Sequence, residues 1–150
     1  LHLSLRRQRQ MCIRDSVTTE MARNGAVAWY RNPSRPGPDA LTAVYYAETA
    51  GRWRSVQPDF IFFLRDSEGA MRASIVDPHG AYLGDALGKL QGLARYAEEY
   101  GEMFMRIESV SGVDFESLKV LDLKSEAVRA AVAEAINAES VYEKFGYDYM

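Results

Sequence analysis

Two short stretches hold the residues that could do chemistry, "QPDFIFF" (57–63) and "IVDPHG" (75–80). In the second, Asp77 and His79 stand two positions apart at the end of an apolar run. Side chains in a strand alternate faces, so this spacing points both groups the same way. In the first, Asp59 follows Pro58 where another apolar run begins. Glu68 lies midway between the two acids. If the runs pair as a hairpin turning at residues 67–69, Asp59 and Asp77 become cross-strand neighbours. Two carboxylates so placed repel unless a cation or a proton sits between them. Mg²⁺ suits the arrangement, being commonly held by one or two carboxylates together with waters and substrate phosphates. A plainer reading uses the same residues. Asp59 caps a turn, "DPHG" is an ordinary turn sequence and His79 is structural, in which case the two acids point apart.

The elements that must position these groups follow from hydrophobic patterning. "VTTEMARNG" reads as a helix end closed by Asn24 and Gly25. "AVAWY" (26–30) and "LTAVYYAE" (41–48) read as strands, separated by the proline-rich loop "RNPSRPGPD" (31–39). "TAGRW" turns the chain into the nearly all-apolar strand "DFIFFL" (59–64), which asks for burial on both faces. The hairpin partner "RASIVD" (72–77) follows. Leu83, Leu87, Leu90, Ala94 and Ala97 fall at helical spacing, with Gly101 as the stop. Gly84, Gly88 and Gly92 recur every four residues and predict a helix lying close on a sheet. "MFMRIESV" (103–110) reads as a strand, 111–123 as an irregular link, and 125–145 as one terminal helix capped by Ser125. Tyr142 and Phe145 pin that helix to the body, and Trp29, Trp53, Tyr45 and Tyr46 read as core or loop anchors. The order predicts a mixed α/β fold, a central mixed β-sheet flanked by helices.

Composition narrows the classes. The chain of 150 residues has a hydrophobic content of 47% and a charged content of 26%, ordinary for one globular domain. No run approaches the apolar length of a membrane helix. The opening run "LHLSLRRQRQMCIRDS" (1–16) begins at Leu rather than Met and lacks helical or strand periodicity. It is similar to translated sequencing-adapter DNA, so residues 1–16 are expected to be non-native and disordered. A basic nucleic-acid-binding arm or a presequence are the competing readings. Setting aside its four arginines and one aspartate takes the formal net charge from −3 to −6. It also removes Cys12 and His2, leaving no cysteine and His79 as the sole histidine. A disulfide framework or a cysteine-based zinc site is thereby excluded from 17–150. The lack of cysteine fits a cytoplasmic protein. The acidic balance argues against a free-standing, charge-driven DNA binder. The expected organisation is a core over 17–112, with 113–150 as a link and a C-terminal helix packed on it.

The order "PDF … IVDPHG" followed by a helix resembles the PD-(D/E)xK nuclease core, over roughly residues 17–110. The wording "VAWYRNPSR", "PDFIFF", "VDPHG" and "KLQGLARYAEEYG" is most similar to the C-terminal region of helicase-containing restriction proteins such as type III restriction subunits. The resemblance implies a restriction-endonuclease-like fold and a divergent Mg²⁺-dependent DNA endonuclease. It equally implies, as the alternative, a non-catalytic nuclease-like module that scaffolds a motor or contacts DNA or a partner. Implied partners are DNA, a DEAD/DEAH-type helicase region upstream and a modification or specificity subunit. Implied site residues are Asp59 and Asp77 as metal ligands and Glu20 as a third acid from the preceding helix. His79 stands where a lysine is usual, and Lys89 or Gln91 on the following helix reaches the phosphate. A neutral imidazole can order or deprotonate water but lacks the fixed charge of an ammonium. Arg31 and Arg35 in the proline-rich loop are the implied phosphate contacts. Pro78 suits an edge strand or a bulge.

Overall fold

A computed structural model describes residues 2–47, 50–80, 84–112 and 117–150. The elements are α1 (His2–Met21), β1 (Ala26–Arg31), β2 (Ala43–Ala47), β3 (Arg52–Val56), β4 (Phe60–Arg65) and β5 (Met71–Pro78). They continue with α2 (Ala86–Tyr100), β6 (Arg106–Gly112), β7 (Leu118–Asp122), α3 (Glu126–Glu134), α4 (Ala138–Phe145) and β8 (Tyr147–Asp148). Among the described residues six strands form one sheet in the order β1-β4-β5-β6-β7-β8, and β2 and β3 form a separate two-stranded sheet. Every pairing is antiparallel except β5 with β6, which is parallel. Helix α2 makes the crossover that a parallel pair requires. The fold is thus a mixed α/β sheet flanked by helices, as the patterning predicts.

Alternation on β4 and β5 sorts the core into two layers. Ile75, Ile107 and Leu121 face α2, α3 and α4, and pack with Leu90, Leu93, Val132 and Tyr142. Phe60, Phe62, Leu64, Val76, Val110 and Val120 face the other way, where Ile13 and Val17 of α1 cover them. Leu90 and Leu93 are wholly buried, and each such side chain contributes roughly 1.5–3 kcal/mol by leaving water. The β4–β5 turn is set by Asp66, whose Oδ1 accepts from the backbone N–H of Glu68 and Ala70. Gly69 sits there at φ 82°, a conformation costly for residues with a Cβ.

Several elements differ from the sequence reading. The stretch around Arg52–Val56, expected to be a turn, is strand β3, paired with β2. It is exposed along most of its length, so it carries no apolar alternation to betray it. Within the expected irregular link, Leu118–Asp122 forms β7, which joins the main sheet beside β6; residues 113–116 of that link lie outside the described residues. The boundary expected at 112 therefore falls between two strands of one sheet. The single terminal helix is two helices, α3 and α4, with Asn137 capping the second by accepting from Ser140 N–H. Residues 2–16, expected to be disordered, are helical and continuous with the rest of α1, and Ser16 is buried. Of the three spaced glycines only Gly92 meets a close neighbour, the Tyr45 ring; Leu83 lies outside the described residues. Trp29, Tyr46 and Trp53 are exposed, the last two meeting edge-on across the small sheet, rather than serving as core anchors. Among the described residues no helix is long and apolar enough to cross a membrane.

Candidate functional site

Phe60 pairs with Val76 at the open end of the β4–β5 hairpin, which sets Asp59 opposite Asp77. Both acids share the sheet face of Ile75, the face on which α2 packs. Asp77 is wholly buried. Its Oδ1 accepts from Asp59 N–H at 2.8 Å and from Lys89 Nζ at 2.8 Å, and its Oδ2 lies 3.2 Å from His79 Nδ1. Lys89 Nζ is also 3.6 Å from Asp59 Oδ1. The ammonium of α2 thus sits between the two carboxylates. The acids do not point apart, so the reading of both as separate turn caps fails.

Burial by itself would raise the pKa of Asp77. The charge of Lys89 and the contact with His79 outweigh it and hold the carboxyl well below the usual range. An ionised Asp77 can only accept, so His79 Nδ1 carries the proton, shared between Asp77 Oδ2 and Ser109 Oγ at 3.2 Å. Ser109 in turn accepts from Tyr142 Oη–H at 2.8 Å, and the Tyr142 ring meets the imidazole edge-on. In the neutral imidazole Nε2 then holds a lone pair. It is buried and has no hydrogen-bond partner among the described residues. A carboxylate orienting one imidazole nitrogen and leaving the other to take a proton is an arrangement capable of general base chemistry.

Local backbone detail explains how these groups are held. Pro78 lies in a central strand and not at an edge. His79 N–H donates to Val110 O on the β6 side, so the proline nitrogen faces the β4 side, where pairing has already ended at Phe60. No ladder bond is lost there. Asn32, buried, donates to the carbonyls of Leu41 and Pro58 and accepts from Leu41 N–H. Its own N–H donates to Asp59 O. It ties the proline-rich loop to the residue pair that presents Asp59. Sequence reading missed Asn32 and Ser109 as positioning residues. For Asn32 the signal available was the Asn-Pro dipeptide opening the loop; a lone serine in a strand gives none.

Other expected site residues lie elsewhere. Glu20 is on the α1 side of the sheet, the opposite face from Asp77. It is paired with Arg106 and Arg23 and accepts from Tyr149 Oη–H. Burial opposes its charge, but the Arg106 and Tyr149 hydrogen bonds prevail and lower its pKa. It cannot complete a metal site with Asp59 and Asp77, because the sheet separates them. Gln91 points away from Lys89, and its Nε2 donates to Val132 O on α3. The Arg31 guanidinium lies over the Phe60 ring, at the strand end next to Asp59. Arg35 is exposed in the loop.

The comparisons with known proteins overturn the restriction-protein reading. A sequence model of the YagJ family matches residues 6–150, which includes much of the opening run set aside as non-native. "Protein YagJ" of Escherichia coli (strain K12) is 46% identical over 123 residues, 82% of this chain and 49% of that protein. The chain therefore spans about half the length of the curated relative it matches. No solved structure matches, and the restriction-endonuclease likeness of the fold is unsupported. The type III restriction, helicase-linked and endonuclease identities, and the nuclease-like scaffold beside them, are thus corrected. They rested on an acid at each of two strand ends and a glycine turn, residue types that recur wherever strands end in turns. With that family match across nearly its whole length, the chain belongs to the YagJ family.

Proposed function

We propose that the Asp59–Asp77–Lys89–His79 cluster binds a hard divalent cation of the Mg²⁺ class and works on a bound anionic ligand by acid–base chemistry. The observation that carries the reading is the position of the Lys89 ammonium, 2.8 Å from Asp77 and 3.6 Å from Asp59. A cation already occupies the place where the two carboxylates converge. Without it the pair would be two negative charges, one of them wholly buried. Among the described residues no group of three or more His, Cys, Asp or Glu could hold a metal. Asp59 and Asp77 alone supply two carboxylates, the donors of an ion that keeps most of its waters. The pair does not suit zinc, which takes three or four protein ligands.

The side chains of Asp59 and Lys89 are each about a fifth exposed, at 18% and 20%, whereas Asp77 lies beneath them. In this proposal a cation would supply charge neutralisation for the anionic ligand. Lys89, on a flexible stem, would swing to the ligand's anion. Asp77 would keep His79 oriented so that Nε2 takes or returns a proton. A cytoplasmic setting belongs to the same proposal and is supported by the cysteine-free stretch from Val17 onward.

The test uses Mn²⁺ relaxation enhancement, with Mg²⁺ as competitor, on the folded protein. Asp59→Asn and Asp77→Asn are expected to lose binding. Lys89→Met is expected to tighten it about ten-fold, because the ammonium competes for the same carboxylates. Absence of Mn²⁺ and Mg²⁺ binding in folded Lys89→Met would refute the proposal.

A further inference from the structure

A second concave site lies on another face of α2. The cleft has a volume of about 430 Å³ and runs between the small β2–β3 sheet, α2 and α3. That volume lies in the range of small-molecule sites, roughly 300–1,000 Å³. None of the four residues of the Asp77 cluster lines it. Tyr45 and Arg54 are directly paired across β2 and β3, so their side chains leave the small sheet on one face, the face toward α2. The Tyr45 ring occupies the space a Cβ of Gly92 would fill, 2.5 Å away, and its Oη–H donates to Gly88 O. The ring is thereby held against the helix as one wall. At Gly88, which lines the cleft, a Cβ would meet nothing within 4 Å, so bare helix backbone forms the floor.

The charge of the cleft is unlike that of the chain. Arg54, Arg95 and Arg129 line it against Glu98 and Glu126, whereas the whole chain carries a formal net charge of −3. Glu98 is engaged by Arg95 at 3.4 Å. Arg129 is held rigidly, its Nη1 donating to the carbonyls of Leu123 and Lys124. Among the described residues Arg54 makes no ion pair or side-chain hydrogen bond. A guanidinium lining the cleft together with an aromatic ring and a bare backbone floor matches an anion carried on a planar apolar body.

We infer that this cleft is a binding site for a small aryl anion, an aryl phosphate or aryl carboxylate, with its anion on Arg54 and its ring against Tyr45 over Gly88. The site is independent of the cation proposal. Phenyl phosphate serves as the probe, followed by calorimetry and by saturation-transfer NMR on the full chain with EDTA present, so that no divalent ion takes part. Saturable binding is expected, with inorganic phosphate and benzyl alcohol each at least about ten-fold weaker.

Arg54→Ala removes an exposed guanidinium and is expected to weaken phenyl phosphate about ten-fold. Gly88→Leu fills the floor with a residue that favours helix over glycine and is expected to abolish binding, with unchanged far-UV circular dichroism for both variants. Absence of saturable binding, binding that survives Arg54→Ala or Gly88→Leu undiminished, or equal binding of benzyl alcohol would each overturn the inference.

Discussion

Replacing Asp77 with Asn tests whether the buried cluster is held by charge. The substitution keeps the shape and leaves an oxygen to accept from Asp59 N–H, a bond of 2.8 Å. It removes the negative charge that Lys89 and His79 face. Breaking a fully buried ion pair by deleting one partner costs about 3–5 kcal/mol. Lys89 retains 20% side-chain exposure and Asp59 at 3.6 Å, so part of its charge stays solvated and paired. The expected cost is therefore lower, about 2–3 kcal/mol. In urea, where small proteins show slopes of about 1–3 kcal/mol per molar, this is a fall in midpoint of about 1–2 M at neutral pH. Lys89→Met alone strands the buried carboxylate and is also destabilising. The double variant removes both charges, so its loss is smaller than the sum of the two singles, with a coupling of about 1–3 kcal/mol. A midpoint for Asp77→Asn within 0.3 M of the parent, or strictly additive losses, would show that the cluster is not held by charge.

The α1 side carries a second ionic cluster with its own pH signature. Glu20 and Asp77 both have lowered pKa values. Their stabilisation is complete above the ordinary carboxylate range near 4–4.5 and is lost as pH falls through the lowered values. Glu108, pushed up by burial against the opposing charge of Arg106, acts in the other sense, and its contribution fades as pH rises from the same range. Glu20→Gln is therefore expected to lower stability at pH 7 by about 2–4 kcal/mol and to flatten the acid limb below pH 4.5, read as urea midpoints across pH 3–7. Gly25→Ala is expected to cost at least about 1–2 kcal/mol in thermal unfolding. Gly25 has φ 84° and its new Cβ would lie 2.7 Å from the Arg65 carbonyl oxygen. Asn137→Ala removes the cap of α4 and is expected to cost about 1 kcal/mol. Amide exchange should quicken first in α4, and an unchanged exchange pattern there would contradict the cap's role.

Local pattern in the chain settles the β4–β5 hairpin. The Asp66–Gly69 turn, with Asp66 Oδ1 accepting from Glu68 and Ala70 N–H, fixes the register, and the symmetric placement of Asp59 and Asp77 about Glu68 then sets the two acids opposite each other. The acids' juxtaposition is therefore local information, as is the existence of α2. Helical geometry also separates Lys89 from Gln91 by about 200°, so only one of them can reach a given point. Other features depend on pairing between distant segments. Strands β3 and β7 have no strong pattern of their own and exist because β2 and β6 present unpaired edges. Which sheet face α1 covers, and with it the exile of Glu20 from the Asp77 cluster, is a matter of chain path rather than residue type. The meeting of Ser109 and Tyr142 with His79 likewise needs the parallel β5–β6 pairing and the docking of α4. The sequence by itself places two acids and a histidine at one end of a hairpin. Only the tertiary structure puts an ammonium between the acids, because that contact is made by the crossover helix returning over the sheet.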